Sequence, residues 1–286
     1  MTLVTVVIPV HNRRALIKAT VSSALAQTWP DVEVLVVDDG STDGTADVVE
    51  DAFGDRVRLV RLPANEGRSA ARNVGWAQAR GSLVAFLDSD DLWSPEKLAR
   101  QIPHCDDAAV AIVHCHVSKI DEAGNALDGE SAELARAFAI ADARGYDYGG
   151  ITETWCRMYT SAVVVRREAL GTSGGFDTRL ANFEDWDLLW RIAREGRVVT
   201  VRESLVQHRV HPGNTPTVWA ENAIPWRYVC EKHLSAMPRR SDDPVLKRAR
   251  HNLLLNISLG EYWRRHRWAS RWWMWRALLV SLRPLA

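Results

Sequence analysis

Four cysteines in 286 residues, none in a CxxC pair, leave this chain without the material for a disulfide-stapled secreted domain or a zinc ribbon. His104, His114 and His116 lie near Cys105 and Cys115, but their spacing matches no zinc pattern. No stretch approaches about 18 consecutive apolar residues, so no membrane span is expected. The first residues read directly as a strand, with no basic n-region or cleavage site. These absences together predict a cytoplasmic protein. Net charge is lacking too: 36 Lys and Arg balance 36 Asp and Glu, which excludes a general attraction to nucleic acid. No internal repeat or low-complexity segment is present, and 47% hydrophobic content is that of an ordinary globular protein rather than a disordered one. The balanced total hides an asymmetry. From Arg239 onward 11 basic residues face 3 acidic ones, a net of +8, and the preceding residues carry the compensating −8.

What is present is an alternation. Val4 to Val10, Val32 to Asp38, Val57 to Leu62 and Leu83 to Asp88 are short, β-branched, almost wholly apolar runs separated by helical patterns. Such runs predict strands covered on both faces in a largely parallel α/β sheet. Ligands then belong at the carboxyl ends of the strands, where His11, Asn12, Asp38, Asp39, Asn65 and Asp88 to Asp91 sit. The loop after the first strand reads His11-Asn12-Arg13-Arg14, without the GxGxxG that lets a pyrophosphate approach the backbone, so a dinucleotide-dependent dehydrogenase is excluded. Further strands are expected at 109–117, 161–165, 198–201 and 205–210. A helix is expected between Asn182 and Gly196, and helices run from about Thr217 to the end with breaks near Pro238 to Pro244 and around Gly260. The stretch from Lys119 to Gly150 carries no legible pattern.

Two acidic clusters carry chemistry. In VVDDGSTDGT the Asp and Ser residues suit turn formation, and Asp43 suits a helix cap. Turn chemistry does not explain two adjacent acids at a strand end, where Asp39 can accept a hydrogen bond from a base ring nitrogen. In VAFLDSDDLWSPEKL, strand alternation directs Asp88 and Asp90 to the same side. Two carboxylates so spaced can hold a hard divalent cation and leave positions open for diphosphate oxygens. Asp91 or Ser94 suits the start of the following helix. Arg68 and Arg72 open a helix after the third strand, where a helix N-terminus and a guanidinium suit a phosphate.

With TVVIPVHN, VVDDGSTDGT, NEGRSAARNVGWAQARG, FLDSDDLWSPEKL and GGFDTRLANFEDWDLLWRIAREG in place, the chain resembles the family 2 inverting glycosyltransferases of the GT-A fold over about residues 4–211. The resemblance implies a Rossmann-like, mostly parallel nucleotide-binding sheet flanked by helices, a mixed acceptor-side part and C-terminal helices. Residues 1–215 would be the GT-A domain, with 1–118 its nucleotide-sugar half and 119–215 its acceptor half, and 216–286 a helical region. It implies a nucleotide-sugar donor, UDP-linked ahead of dTDP- or GDP-linked, a Mn²⁺ or Mg²⁺ cofactor, and a glycan or lipid-linked acceptor in polysaccharide or glycolipid synthesis. Pro9, His11, Asp39, Arg68 and Asp88 would bind the donor, Asp88, Asp90 and His211 the metal, and Asp185 would be the catalytic base. Glu184, Asp185 and Asp187 all occupy the first turn of a helix, where the dipole alone favours them. The alternatives are transfer to a polyprenyl phosphate and an inactive nucleotide-sugar-binding relative. A nucleotidyltransferase would open with a Gly-rich, basic phosphate loop that is absent.

The segment EYWRRHRWASRWWMWRALLVSLRPLA holds five of the 13 tryptophans. On a helix Trp268, Trp272, Trp275, Leu279 and Leu282 form one stripe beside Arg264, Arg267 and Arg271. Two readings stand: the stripe packs on the catalytic domain or on the preceding helix around Leu253 to Leu255, or it makes peripheral contact with the inner face of the cell membrane.

Overall fold

The computed structural model describes residues 2–144, 146–152, 158–211, 219–238, 241–264 and 266–281. Its first half alternates as the apolar runs require, through β1 (Val4–Val10), α1 (Ile17–Leu25), β2 (Val32–Asp38), α2 (Thr45–Phe53), β3 (Arg58–Arg61), α3 (Arg68–Gln78) and β4 (Leu83–Phe86). These strands pair in parallel in the order β3, β2, β1, β4. The register sets Val10 beside Asp38, so the loops bearing His11 and Asp39 leave the sheet together. Beyond β4, Leu87 N donates to Val7 O at 3.0 Å and delivers Asp88 to the same end.

Alternation along β1 divides the core between two faces. Val4, Val6, Ile8 and Val10 pack with Ile17 and Val21, whereas Val7 belongs with Val84 and Phe86. Coverage on both sides explains why β1, β2 and β4 are apolar at nearly every position. At Gly75 in α3 an added Cβ would stand 2.3 Å from Val7 Cγ1, so helix and strand approach as closely as only glycine permits.

The second half comprises β5 (Leu92–Trp93), α4 (Lys97–Gln101), β6 (Val110–Ile120), α5 (Asp128–Arg144), α6 (Tyr148–Ile151), β7 (Val163–Arg166), α7 (Arg167–Ser173), α8 (Glu184–Ala193) and β8 (Arg197–Arg209). Strand β7 runs antiparallel between β4 and β6, β8 is parallel to β6, and β5 is antiparallel to β8. One eight-stranded sheet results, in the order β3-β2-β1-β4-β7-β6-β8-β5: parallel on one side and mixed on the other, as expected. Where two closing strands were expected at 198–201 and 205–210, a single strand runs through. Arg202 and Glu203 bulge out opposite the step from Cys115 to His116, which is why their polarity interrupts the pattern without ending the strand. The stretch without legible pattern contains α5.

Helices α9 (Trp219–Ser235), α10 (Pro244–Trp263) and α11 (Arg267–Ser281) follow. Asp243 caps α10, accepting from Val245 N at 2.8 Å, with Pro244 in the first helical position. The break expected around Gly260 falls after Trp263, because α10 continues through the glycine. Helix α11 packs on α10, but not through the tryptophan stripe. Ala277 is fully buried, Ala269, Ser270, Trp273 and Val280 are partly buried, and Ser258 Oγ donates to Ser270 O at 2.9 Å. Trp268, Trp272, Trp275 and Leu279 face outward, so the packing reading fails for these residues; Leu282 lies outside the described residues.

Candidate active site

The loops at the carboxyl ends of β1 to β4 enclose a cleft of about 700 Å³. It is lined by all five residues expected at the donor, Pro9, His11, Asp39, Arg68 and Asp88, and by Asp90. The sequence did not single out two further lining cations, Arg13 and Arg179; with Arg68 and Arg72 they place four guanidinium groups around one cavity. That is a setting for a polyanion.

At the ends of β1 and β2, His11 Nδ1 donates to Asp39 O at 2.7 Å, and its Nε2 accepts from Asn12 Nδ2 at 3.0 Å. The Asp39 carboxylate is buried and accepts amide hydrogens from Glu66 at 2.8 Å and Gly67 at 2.9 Å, one on each oxygen. It therefore fixes the loop that enters α3, and each oxygen keeps a second lone pair. Gly40 next to it has φ +65°, and a Cβ there would lie 2.5 Å from Ala64 C.

A chain of alternating charge joins the two halves. Arg72, buried over the Phe176 ring, donates to Asp88 Oδ1 at 2.6 Å and to Glu184 Oε1 at 2.8 Å. Arg68 reaches the same Glu184 oxygen at 2.7 Å and Asn182 Oδ1 at 2.9 Å. Burial disfavours charge on Asp88, yet the adjacent Arg72 outweighs it and holds the carboxyl below its ordinary range. Arg72 remains charged because Asp88 and Glu184 overcome its own desolvation.

After β4 the acids divide their roles. Asp91 is buried and does not begin a helix: it accepts from Ser161 Oγ at 2.6 Å, from Arg209 N at 3.0 Å and from His208 Nδ1 at 3.0 Å, fastening β8 to the β4 loop. Burial lowers and Asp91 raises the His208 pKa, and the carboxylate prevails. Asp90 Oδ2 lies 2.8 Å from His211 Nε2 and 3.7 Å from Arg13 Nε. The expected metal triad does not converge as a cluster. Among the described residues no three His, Cys, Asp or Glu side chains are grouped closely enough to hold an ion, because Asp88 engages Arg72 and only Asp90 and His211 adjoin.

Helix α8 separates its three acids as the sequence could not. Asp187 is fully buried and binds Arg191 at 2.7 Å, Lys232 at 2.8 Å and His233 at 3.2 Å, tying α8 to α9; burial opposes its charge, but these partners bring its pKa down to about 2. Glu184 serves the two arginines. Asp185 forms no ion pair among the described residues; it accepts from Trp186 N at 2.8 Å and from Thr160 Oγ1 at 3.3 Å. Burial first, and the neighbouring Glu184 second, push its pKa up to about 7. It stands beside Phe86, Phe176 and Leu188 and does not itself line the cleft. Trp186 packs against Trp190 and Trp226, with centroids 5.9 and 5.0 Å away.

A sheet of this order, with an acidic loop after β4 and an arginine-lined cleft at its carboxyl edge, is that of a GT-A glycosyltransferase. Its likeness to the mannosyltransferase PcManGT of Pyrobaculum calidifontis, solved with GDP-Man and Mn²⁺, has a TM-score of 0.68 at 21% identity and covers 97% of this chain and 75% of that one. The chain belongs to glycosyl transferase family 2, whose model matches residues 5–170. It is 31% identical over 215 residues to an uncharacterized glycosyltransferase of Nostoc sp., covering 74% of this chain and 66% of that protein. Over 102 residues it is 39% identical to the Escherichia coli UDP-Glc:alpha-D-GlcNAc-diphosphoundecaprenol beta-1,3-glucosyltransferase WfaP, covering 36% of this chain and 41% of that protein. The matches thus span two thirds or less of these curated relatives.

Proposed function

We propose that this protein transfers a sugar from a nucleoside-diphosphate donor, UDP-linked by preference, to a hydroxyl of an envelope glycan or lipid-linked saccharide, with inversion at the anomeric carbon. The observation that carries the reading is the cleft itself, where four guanidinium groups meet Asp88 and Asp90 at the strand ends. In this reading residues 1–118 hold the donor, 119–215 receive the acceptor and 216–286 form a helical region beyond them. Pro9, His11 and Asp39 form the base end. Arg68, Arg13 and Arg179 flank the diphosphate. A Mn²⁺ or Mg²⁺ ion would be held by Asp90 and His211, which already adjoin, with Asp88 turning from Arg72 to complete the set; carboxylate and imidazole donors suit such ions, and the ion would neutralise charge on the departing diphosphate. Asp185 takes the proton from the acceptor hydroxyl; a carboxyl with a pKa of about 7 is half ionised near neutrality, well matched to that task. The E. coli relative, whose name gives a UDP-glucose donor and a β-linked product on a lipid diphosphate, supports the donor, the inversion and the acceptor class.

A thermal-shift series with UDP, dTDP and GDP, each with Mn²⁺ or with chelator, tests this. A nucleotide at 100 times its dissociation constant stabilises the fold by about 2.7 kcal/mol. UDP is expected to raise the melting temperature most, chiefly with Mn²⁺, and Asp90→Ala to remove the metal-dependent part. If no nucleoside diphosphate shifts the transition, with or without metal, the donor reading is wrong.

A further inference from the structure

Helix α11 shows solvent the face that a soluble protein would hide. Trp268 is 83% exposed, Trp275 63%, Leu279 57% and Trp272 55%, and all four lie on one stripe opposite the contact with α10. Met274 and Leu278 widen the stripe. Exposed apolar surface concentrated in this way marks a binding face.

The charges around the stripe indicate what binds. Arg271 sits 5.6 Å over the Trp268 ring, and Arg276 lies 4.8 Å over Trp272 and 4.7 Å over Trp273, so a cation borders the tryptophans on each side. Arg264 and Arg267 precede them, and no Asp or Glu occurs after Glu261. A second copy placed symmetrically against this face would set arginine against arginine. An anionic lipid surface suits both features, since indole rings settle at the headgroup boundary and arginines meet lipid phosphate. At about 1.5 Å per residue the 15-residue helix is roughly 22 Å long, too short to span a hydrocarbon core of about 30 Å, and no described helix is long and apolar enough to cross a membrane.

We infer that α11 is an interfacial helix that seats the protein on an anionic lipid surface through Trp268, Trp272 and Trp275, with Arg271 and Arg276 at the headgroups. The inference rests on α11 alone and stands or falls independently of the sugar-transfer reading.

Co-sedimentation of the full chain with phosphatidylcholine vesicles, with and without phosphatidylglycerol, tests it. The parent is expected to pellet with the anionic vesicles and not with the neutral ones, and added salt should release it. The variant W268S/W272S/W275S, altered only at exposed positions, should lose at least tenfold in binding while melting at the parent temperature. The variant R271Q/R276Q should lose the preference for phosphatidylglycerol. Parent protein that stays in the supernatant at low salt overturns the inference. So does undiminished binding by the tryptophan variant, or a parent dimer that the tryptophan variant dissociates while neither form binds vesicles.

Discussion

Replacing Lys97 by Met is expected to stabilise the protein. Lys97 is fully buried, and its Nζ lies 3.9 Å above the Trp93 ring and finds no hydrogen-bond partner among the described residues. Burial lowers its pKa from 10.5 to about 8. At about 1.36 kcal/mol per unit, that corresponds to roughly 3 kcal/mol against the charged form. The cation over the ring returns up to about 2 kcal/mol, and Met keeps the stem's length and contacts. A net gain of about 1.5 kcal/mol, or roughly 3–6 °C in melting temperature, should follow near neutral pH. The pH dependence is a sharper test. Because the folded pKa is depressed, the parent's deficit is largest below about 8 and disappears as pH rises to 10.5, where the unfolded chain also loses the proton. Paired melting curves of parent and K97M at about pH 7 and pH 10 measure it. A variant that melts lower than the parent at pH 7, or a difference of the same size at both pH values, would refute the reasoning.

Asp185→Asn should leave UDP binding nearly unchanged and reduce turnover by about 10² or more. In the parent the transfer rate should climb as pH rises through about 7, where the raised Asp185 loses its proton, and this limb should vanish in the variant; transfer at the parent rate would move the role elsewhere. Asp187→Asn strands Arg191, Lys232 and His233 around a site that is fully buried, and should cost about 3–5 kcal/mol in denaturant unfolding. The Asp187 contribution belongs to pH values above the ordinary carboxyl range and is lost as pH falls toward about 2. Gly75→Ala forces its Cβ into Val7 and should destabilise by about 1–3 kcal/mol, measurable by the same unfolding curves.

The parallel strands were legible because burial on both faces leaves few polar residues to blur them; Val4 to Val10 and Val32 to Asp38 carry their role in composition. Strand β8 was not, since a bulge at Arg202 and Glu203 looks like a loop in one dimension. Helix α5 was missed because its apolar residues are too evenly spread around it to mark a face. In the cleft, residues at strand ends could be named one by one, but their pairings could not. Arg72 and Glu184 are 112 positions apart, and no local pattern announces that they meet. The three acids of α8 look alike in sequence and differ only by the partners that other elements bring. On α11, Ser270, Trp273 and Ala277 took the inward face and left Trp268, Trp272, Trp275 and Leu279 outside, so the longest apolar stripe is not the packed one.

The unbroken ladder from β3 to β5 has a consequence for how such a chain can change over time. Asp88 leaves β4 near the middle of that ladder, with β1 hydrogen-bonded on one flank and β7 on the other, so its position relative to Pro9 is set by the backbone grid. The long excursions, residues 121–162, 167–196 and those after Arg209, are threaded between strands or after the last one. Exposed turns within them can lengthen, shorten or be exchanged without moving the grid, while the helices they join stay packed on the sheet. The architecture is a chassis with interchangeable fittings: selection can rework the loops facing one partner while the strand ends keep their spacing.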